Sequence, residues 1–155
     1  MDAKIVPALQ SHAILMAPKV RKADREELKA AANLEPLEAI ICSMRESPNN
    51  SGTLIINNDI ACIFGCSYRG NIGVPWMVGT SLLLANSKTF MGLSHEWVAK
   101  MRTGVDYLEN YVDARNTVAI RWLKRLGFKF DAAAPYGPFN LPFYRFTMEG
   151  VPECA

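Results

Sequence analysis

The feature that most narrows the fold of this chain is a change of apolar period near residue 80. Before it, Thr53–Ile56, Asp59–Ser67 and Val74–Gly79 read as consecutive strands. Asn57 and Asn58 separate the first two, and asparagine tolerates the positive φ of a tight hairpin. After it, Leu93, Trp97, Met101 and Val105 recur every four residues and predict a helix over Phe90–Val105. Tyr107–Val112 is strand-like again. A strand, a helix and a strand in that order place Val74–Gly79 and Tyr107–Val112 side by side in parallel, through a right-handed crossover.

The flanking segments fit the same plan. Lys4–Val6 opens as a strand, which Pro7 confines to an edge. His12–Met16 is a helical turn interrupted by Pro18. Asp24 caps or opens a helix that runs to Ala32, with Glu26 and Glu27 in its first turn, where the dipole favours negative charge. Asn33 stops it. A further helix starts at Glu35–Pro36, with Leu37, Ile40, Ile41 and Met44 on one face. Beyond Val112, Asn116–Leu126 is helical and Gly127 ends it. Phe128–Phe130 is a strand, Tyr136–Pro138 a turn, and Phe143–Met148 the last strand. The expected fold is α/β (α+β). It is one domain over residues 1–155, with a mixed, mainly antiparallel sheet and helices packed on it.

Composition excludes several classes. The chain has 155 residues, half of them hydrophobic, and 17 basic against 15 acidic side chains. No Lys/Arg block is present to neutralise a phosphate backbone, so nucleic acid is not an expected partner. No apolar run reaches the ~20 residues of a membrane helix, and no basic-then-apolar leader opens the chain. A cytoplasmic protein is expected, with no membrane partner. Of Cys42, Cys62, Cys66 and Cys154, the pair Cys62/Cys66 lies on one face of a strand. It reads either as core thiols or as half of a metal site that no second Cys/His pair completes, so no metal is expected.

The segment Asp113-Ala-Arg-Asn116-Thr-Val-Ala119-Ile-Arg-Trp-Leu123-Lys-Arg-Leu-Gly127-Phe128 carries the chemistry. Asn116 opens a helix, where its amide caps the chain or reaches a ligand amide. Ala119 is small enough for a ligand chain to pass, and Gly127 lets the backbone leave left-handed. The segment resembles the signature of the GNAT acetyltransferases. Over nearly its full length the chain also resembles short phage proteins with a GNAT-like fold, the internal virion protein A-like family. Ala23-Asp-Arg-Glu-Glu27, Gly73-Val-Pro-Trp-Met-Val-Gly-Thr80, Asn110-Tyr-Val-Asp-Ala-Arg-Asn116 and Tyr136-Gly-Pro-Phe-Asn-Leu-Pro-Phe143 carry that likeness.

The resemblance implies helices on both faces of the sheet and a V-shaped splay between the two parallel strands, with acyl-coenzyme A as a substrate lying in it. The pantetheine arm would pair with the backbone of Met77, Val78 and Gly79, beside Asn116 and Ala119. The phosphates would meet Lys88, Gly92 and Ser94, with Ser94 capping a helix at His95 and Glu96 opposing an anion there. The glycine-rich phosphate loop usual in the family is missing. Leu123 stands where the family often has a tyrosine acid. Substitute candidates for proton transfer are Tyr111, Asp113, Tyr136 and His95, a residue type whose proton exchange suits neutral pH. Arg121, Lys124, Arg125 and Lys129 form a basic helix face, either solvated or set against a ligand phosphate.

Three functions follow. One is a phage-encoded acyl-CoA-dependent N-acetyltransferase acting on an amine in the bacterial host. The second is a GNAT-fold protein that docks on a host protein, for which an exposed patch of Tyr136, Phe139 and Phe143 would speak. The third is a structural component of the virion.

Overall fold

The computed structural model describes residues 2–153; Cys154 lies outside them. An eight-stranded sheet carries the fold. It is formed by β1 (Ala3–Pro7), β2 (Ser51–Ile56), β3 (Asp59–Arg69), β4 (Ile72–Gly79), β5 (Tyr107–Asp113), β6 (Lys129–Phe130), β7 (Ala134–Tyr136) and β8 (Leu141–Glu149). The order is β1-β2-β3-β4-β5-β8-β6, with β7 also on β8. All neighbours are antiparallel except β4 and β5. The β2–β3 hairpin turns at Asn57 and Asn58, with φ of 50° and 69°. Two successive positive φ values match the right-handed twist of the strands they join.

Helices cover both faces. On one, α1 (Gln10–Met16), α2 (Lys22–Ala32) and α3 (Pro36–Glu46) pack Ala13, Met16 and Ile40 against Ile63 and Val78. On the other lie α4 (Leu82–Ala85), α5 (Ser87–Met101) and α6 (Thr117–Leu126). There Val98 and Met101 meet Leu108, Val112, Phe128 and Phe146. Trp122 and Phe90 join Leu54 and Cys62 in the neighbouring cluster. Cys62 and Cys66 are buried thiols of this core. The T-shaped pair Phe64–Trp97, at 4.5 Å between centroids, ties α5 to the sheet. Such a pair adds roughly 0.5–1.5 kcal/mol beyond its buried area.

Several expectations are corrected. α5 begins at Ser87, because Asn86 ends α4 and leads straight into it. It stops at Met101, so Val105 falls beyond the helix. α2 begins at Lys22 with Arg21 as N-cap, which moves Asp24 into the first turn and Glu27 into the second. Ala134–Tyr136 is a strand on β8, and the turn follows it, at Gly137 (φ 75°) and Asn140 (φ 54°). Phe143 is 2% exposed, so it closes the core and cannot share a surface patch with Phe139, which is 50% exposed.

Candidate functional site

The site originates where the sheet comes apart. β4 and β5 are paired only at Ile72–Tyr107 and Gly73–Leu108. Beyond that, β4 follows β3 as far as Gly79, while β5 follows β8 as far as Asp113. The two parallel strands therefore diverge in a V. Thr80 donates its N–H to Ala61 on β3 at 2.9 Å. By strand alternation Val78 and Trp76 also turn their main-chain groups to β3, while Gly79, Met77 and Pro75 turn theirs into the splay. Near the closed end, Asn110 Nδ2 crosses the gap and donates to the Pro75 carbonyl at 2.6 Å.

The mouth of the V is occupied by α2. Asp24 Oδ2 accepts the Gly79 N–H at 2.9 Å, and the Arg21 N–H donates to the Gly79 carbonyl at 2.9 Å. The Arg21 guanidinium returns to Asp24 Oδ1 at 3.0 Å and lies 5.3 Å over the Trp122 ring. On the opposite strand, Glu27 Oε1 accepts the Asp113 N–H at 2.9 Å. Asn116 joins the two acids, donating from Nδ2 to Asp24 at 3.0 Å and to Glu27 at 3.2 Å. Its Oδ1 caps α6 by accepting from the Ala119 N–H at 3.4 Å. The splayed strands would otherwise leave buried main-chain groups without partners, and α2 supplies them.

Two of the three carboxylates here have arginines. Asp24 pairs with Arg21, and Asp113 pairs with Arg115 at 2.7 Å. Glu27 forms no ion pair among the described residues. Burial pushes its carboxyl up to about 8, with the Asp113 N–H working against the rise and the Asp24 charge adding to it. Burial also raises Asp24, against the pull of Arg21. A carboxyl held near neutrality beside a crevice is poised for proton transfer.

A cavity of about 290 Å³ runs through the splay and is lined from both faces. Glu27, Leu28, Trp76, Tyr111 and Tyr136 line it on the α2 side; Phe90, Trp97, Trp122 and Leu123 line it under α5 and α6. Tyr111 and Tyr136 stack at 4.2 Å with 19° between their planes. Burial raises the Tyr136 hydroxyl, with Tyr111 adding to the shift. Trp97 Nε1 is buried without a partner among the described residues. Trp76 Nε1 donates to Ser47 at 2.8 Å.

Met77, Val78, Asn116, Ala119, Ser94, Tyr111 and Tyr136 all line this cavity. Gly79 and Asp113 do not line it: Gly79 has both main-chain groups engaged by Asp24 and Arg21, and Asp113 is paired with Arg115 while its N–H donates to Glu27. Lys88, Gly92 and His95 are exposed on α5 and do not line it. Ser94 is no helix cap: it sits mid-helix, donating to the Phe90 carbonyl at 2.7 Å, and Glu96 is likewise far from the helix start. Arg121, Lys124, Arg125 and Lys129 face solvent, with Lys124 over the Phe130 ring. In the sequence Asp24 was legible only as a cap or opening residue of its helix, and Glu27 only as a dipole partner in its first turn. Their spacing of three, which puts both on one helix face, was the available signal.

No protein-family model matches the sequence, and no curated protein matches it significantly. Solved structures do. An aminoglycoside N(6')acetyltransferase from Legionella pneumophila superposes with a TM-score of 0.69 at 12% identity, over 96% of this chain and 94% of that one. The chain has a GNAT-like fold. An N-acetyltransferase from Staphylococcus aureus gives 0.66 at 15% identity, over 96% and 99% of the two chains. The ribosomal-protein-S18-alanine N-acetyltransferase of Escherichia coli gives 0.66 at 12%, over 99% and 96%. Among the described residues no helix is long and apolar enough to cross a membrane, and no cluster of His, Cys, Asp and Glu could hold a metal.

Proposed function

We propose that the protein is an acyl-CoA-dependent N-acyltransferase, phage-encoded and acting on an amine in the cytoplasm of a bacterial host. The observation that carries this reading is the V between β4 and β5, opening into a cavity lined from both faces of the sheet. A thioester can enter from one face and an amine from the other. The Met77 main chain, turned into the splay, is the pairing edge for the pantetheine arm. Glu27 is the base and Tyr136 the acid. The amine nitrogen attacks the thioester carbonyl carbon, the C–N bond forms and the C–S bond breaks. The nitrogen's proton passes to Glu27, and the leaving thiolate takes one from Tyr136 or from water. Leu123, which lines the cavity, has no proton to give.

A second reading has specific support. The Gly79 edge is occupied by Asp24 and Arg21, and Leu123 replaces a donor. Both fit a GNAT-fold protein that docks on a host protein or serves in the virion. Calorimetric titration with acetyl-CoA and CoA separates the readings. Saturation at about a hundred times Kd should add ~2.7 kcal/mol of stability. Loss of binding in Asn116→Ala would support the crevice as the site. No binding at millimolar ligand by the wild type or by a variant with the mouth opened would leave the docking reading.

A further inference from the structure

We infer that Arg21 and Asp24 form a latch over the β4 edge, and that acyl-CoA enters the crevice only when the first turn of α2 lets go of Gly79. This rests on the acyltransferase reading. Pairing with a strand edge uses its outward N–H and C=O groups. Of the residues facing the splay, Pro75 has no N–H and its carbonyl is taken by Asn110. Gly79 has its N–H on Asp24 and its carbonyl on the Arg21 N–H. Met77 alone is left, and one residue cannot hold an extended arm in register. The first turn of α2 therefore sits on β4 much as a ligand strand would, with one side-chain acceptor and one main-chain donor on a single residue.

The latch is built to be held rather than to be permanent. Asp24 is 5% exposed and accepts from three donors, Gly79 N–H, Arg21 and Asn116. Two of these, Arg21 and Asn116, can stay with the carboxylate when it leaves Gly79. Glu27 holds the other strand through Asp113, so it keeps its place while the β4 side opens. The Arg21 N–H bond to Gly79 is also one leg of the antiparallel Val20–Thr80 bridge, so the two let go together, with Arg21 (φ −54°, ψ 141°) leading from that bridge into α2.

Two variants open the latch by different means. Asp24→Ala removes the acceptor. Arg21→Pro removes the N–H donor and the guanidinium at a φ that proline adopts unstrained. Each is titrated with CoA and acetyl-CoA, and the Gly79 amide is followed by NMR in the wild type. Both folded variants should bind tighter than the wild type: Asp24→Ala by about tenfold, because the charged hydrogen bond to the Gly79 N–H no longer has to be broken, and Arg21→Pro by less, because it removes only the neutral bond to the Gly79 carbonyl. In the wild type, CoA should shift the Gly79 amide and the Asp24 carboxyl carbon together. If the wild type binds CoA with those two signals unmoved, or the variants bind no tighter, the latch is overturned and the acyltransferase reading stands. If neither wild type nor variants bind, the acyltransferase reading falls and takes the latch with it.

Discussion

Glu27→Gln tests the electrostatics of the crevice without emptying it. Glutamine keeps the Oε1 acceptor for the Asp113 N–H and Asn116, and it cannot ionise. In the folded protein the Glu27 carboxyl is raised from 4.5 to about 8. Between those values the native state holds a proton that the unfolded chain has released, so stability falls as pH rises. The contribution is fully present below the unfolded value and lost as pH passes through the folded one. From pH 5 to pH 8 the wild type should lose roughly 3.5 kcal/mol through this group, and Glu27→Gln should not. Asp24, raised in the same direction by burial, adds a slope of the same sign in both proteins. Urea denaturation at pH 5, 6.5 and 8 reads the difference directly. Parallel pH profiles for the two proteins would refute the assignment of a protonated, buried Glu27.

The same group predicts a rate that rises with pH through about 8 when an amine acceptor is supplied, because only the ionised carboxylate takes a proton; a profile unchanged in Glu27→Gln removes it as the base. Gly127→Ala should cost about 1 kcal/mol of unfolding free energy by urea denaturation. An added Cβ there has ordinary space beside Met148, so the cost is that of φ 102° alone. Gly73→Ala puts a Cβ 2.6 Å from Leu108 Cδ2, which is fully buried, and should destabilise by about 1–3 kcal/mol. In combination with Leu108→Ala the loss should be less than additive by thermal denaturation, since the colliding methyl is gone. Trp76→Phe leaves the Ser47 hydroxyl, 1% exposed, without its donor and should cost about 1–2 kcal/mol.

Local chemistry made much of this fold legible. Asn57-Asn58 marked the hairpin because few residues accept two positive φ values. Leu93, Trp97 and Met101 marked α5 because their spacing is set by the helix itself. Gly127 marked the end of α6 for the reason its backbone shows. What could not be read was settled across the chain. β7 is three residues long, one of them a proline, with no pattern of its own until β8 lies beside it. The role of Asp24 depends on Gly79, 55 residues away, and that of Glu27 on Asp113, 86 away. Ser94 and His95 were misplaced for a simpler reason. The apolar stripe of α5 sets in after its first turn, and its start at Ser87 bears no capping side chain.

β8 pairs with β5, β6 and β7, and all three precede it in the chain. During synthesis, then, the β1–β4 meander can close on itself early, since each of its strands has a neighbour already made. β5 has only two residues of pairing to lean on until residues 141–149 leave the ribosome. The half of the sheet that forms the far wall of the crevice is thus assembled last and at one stroke. A premature stop before β8 would leave β5 without its main partner, and its unpaired edge would be a template for aggregation.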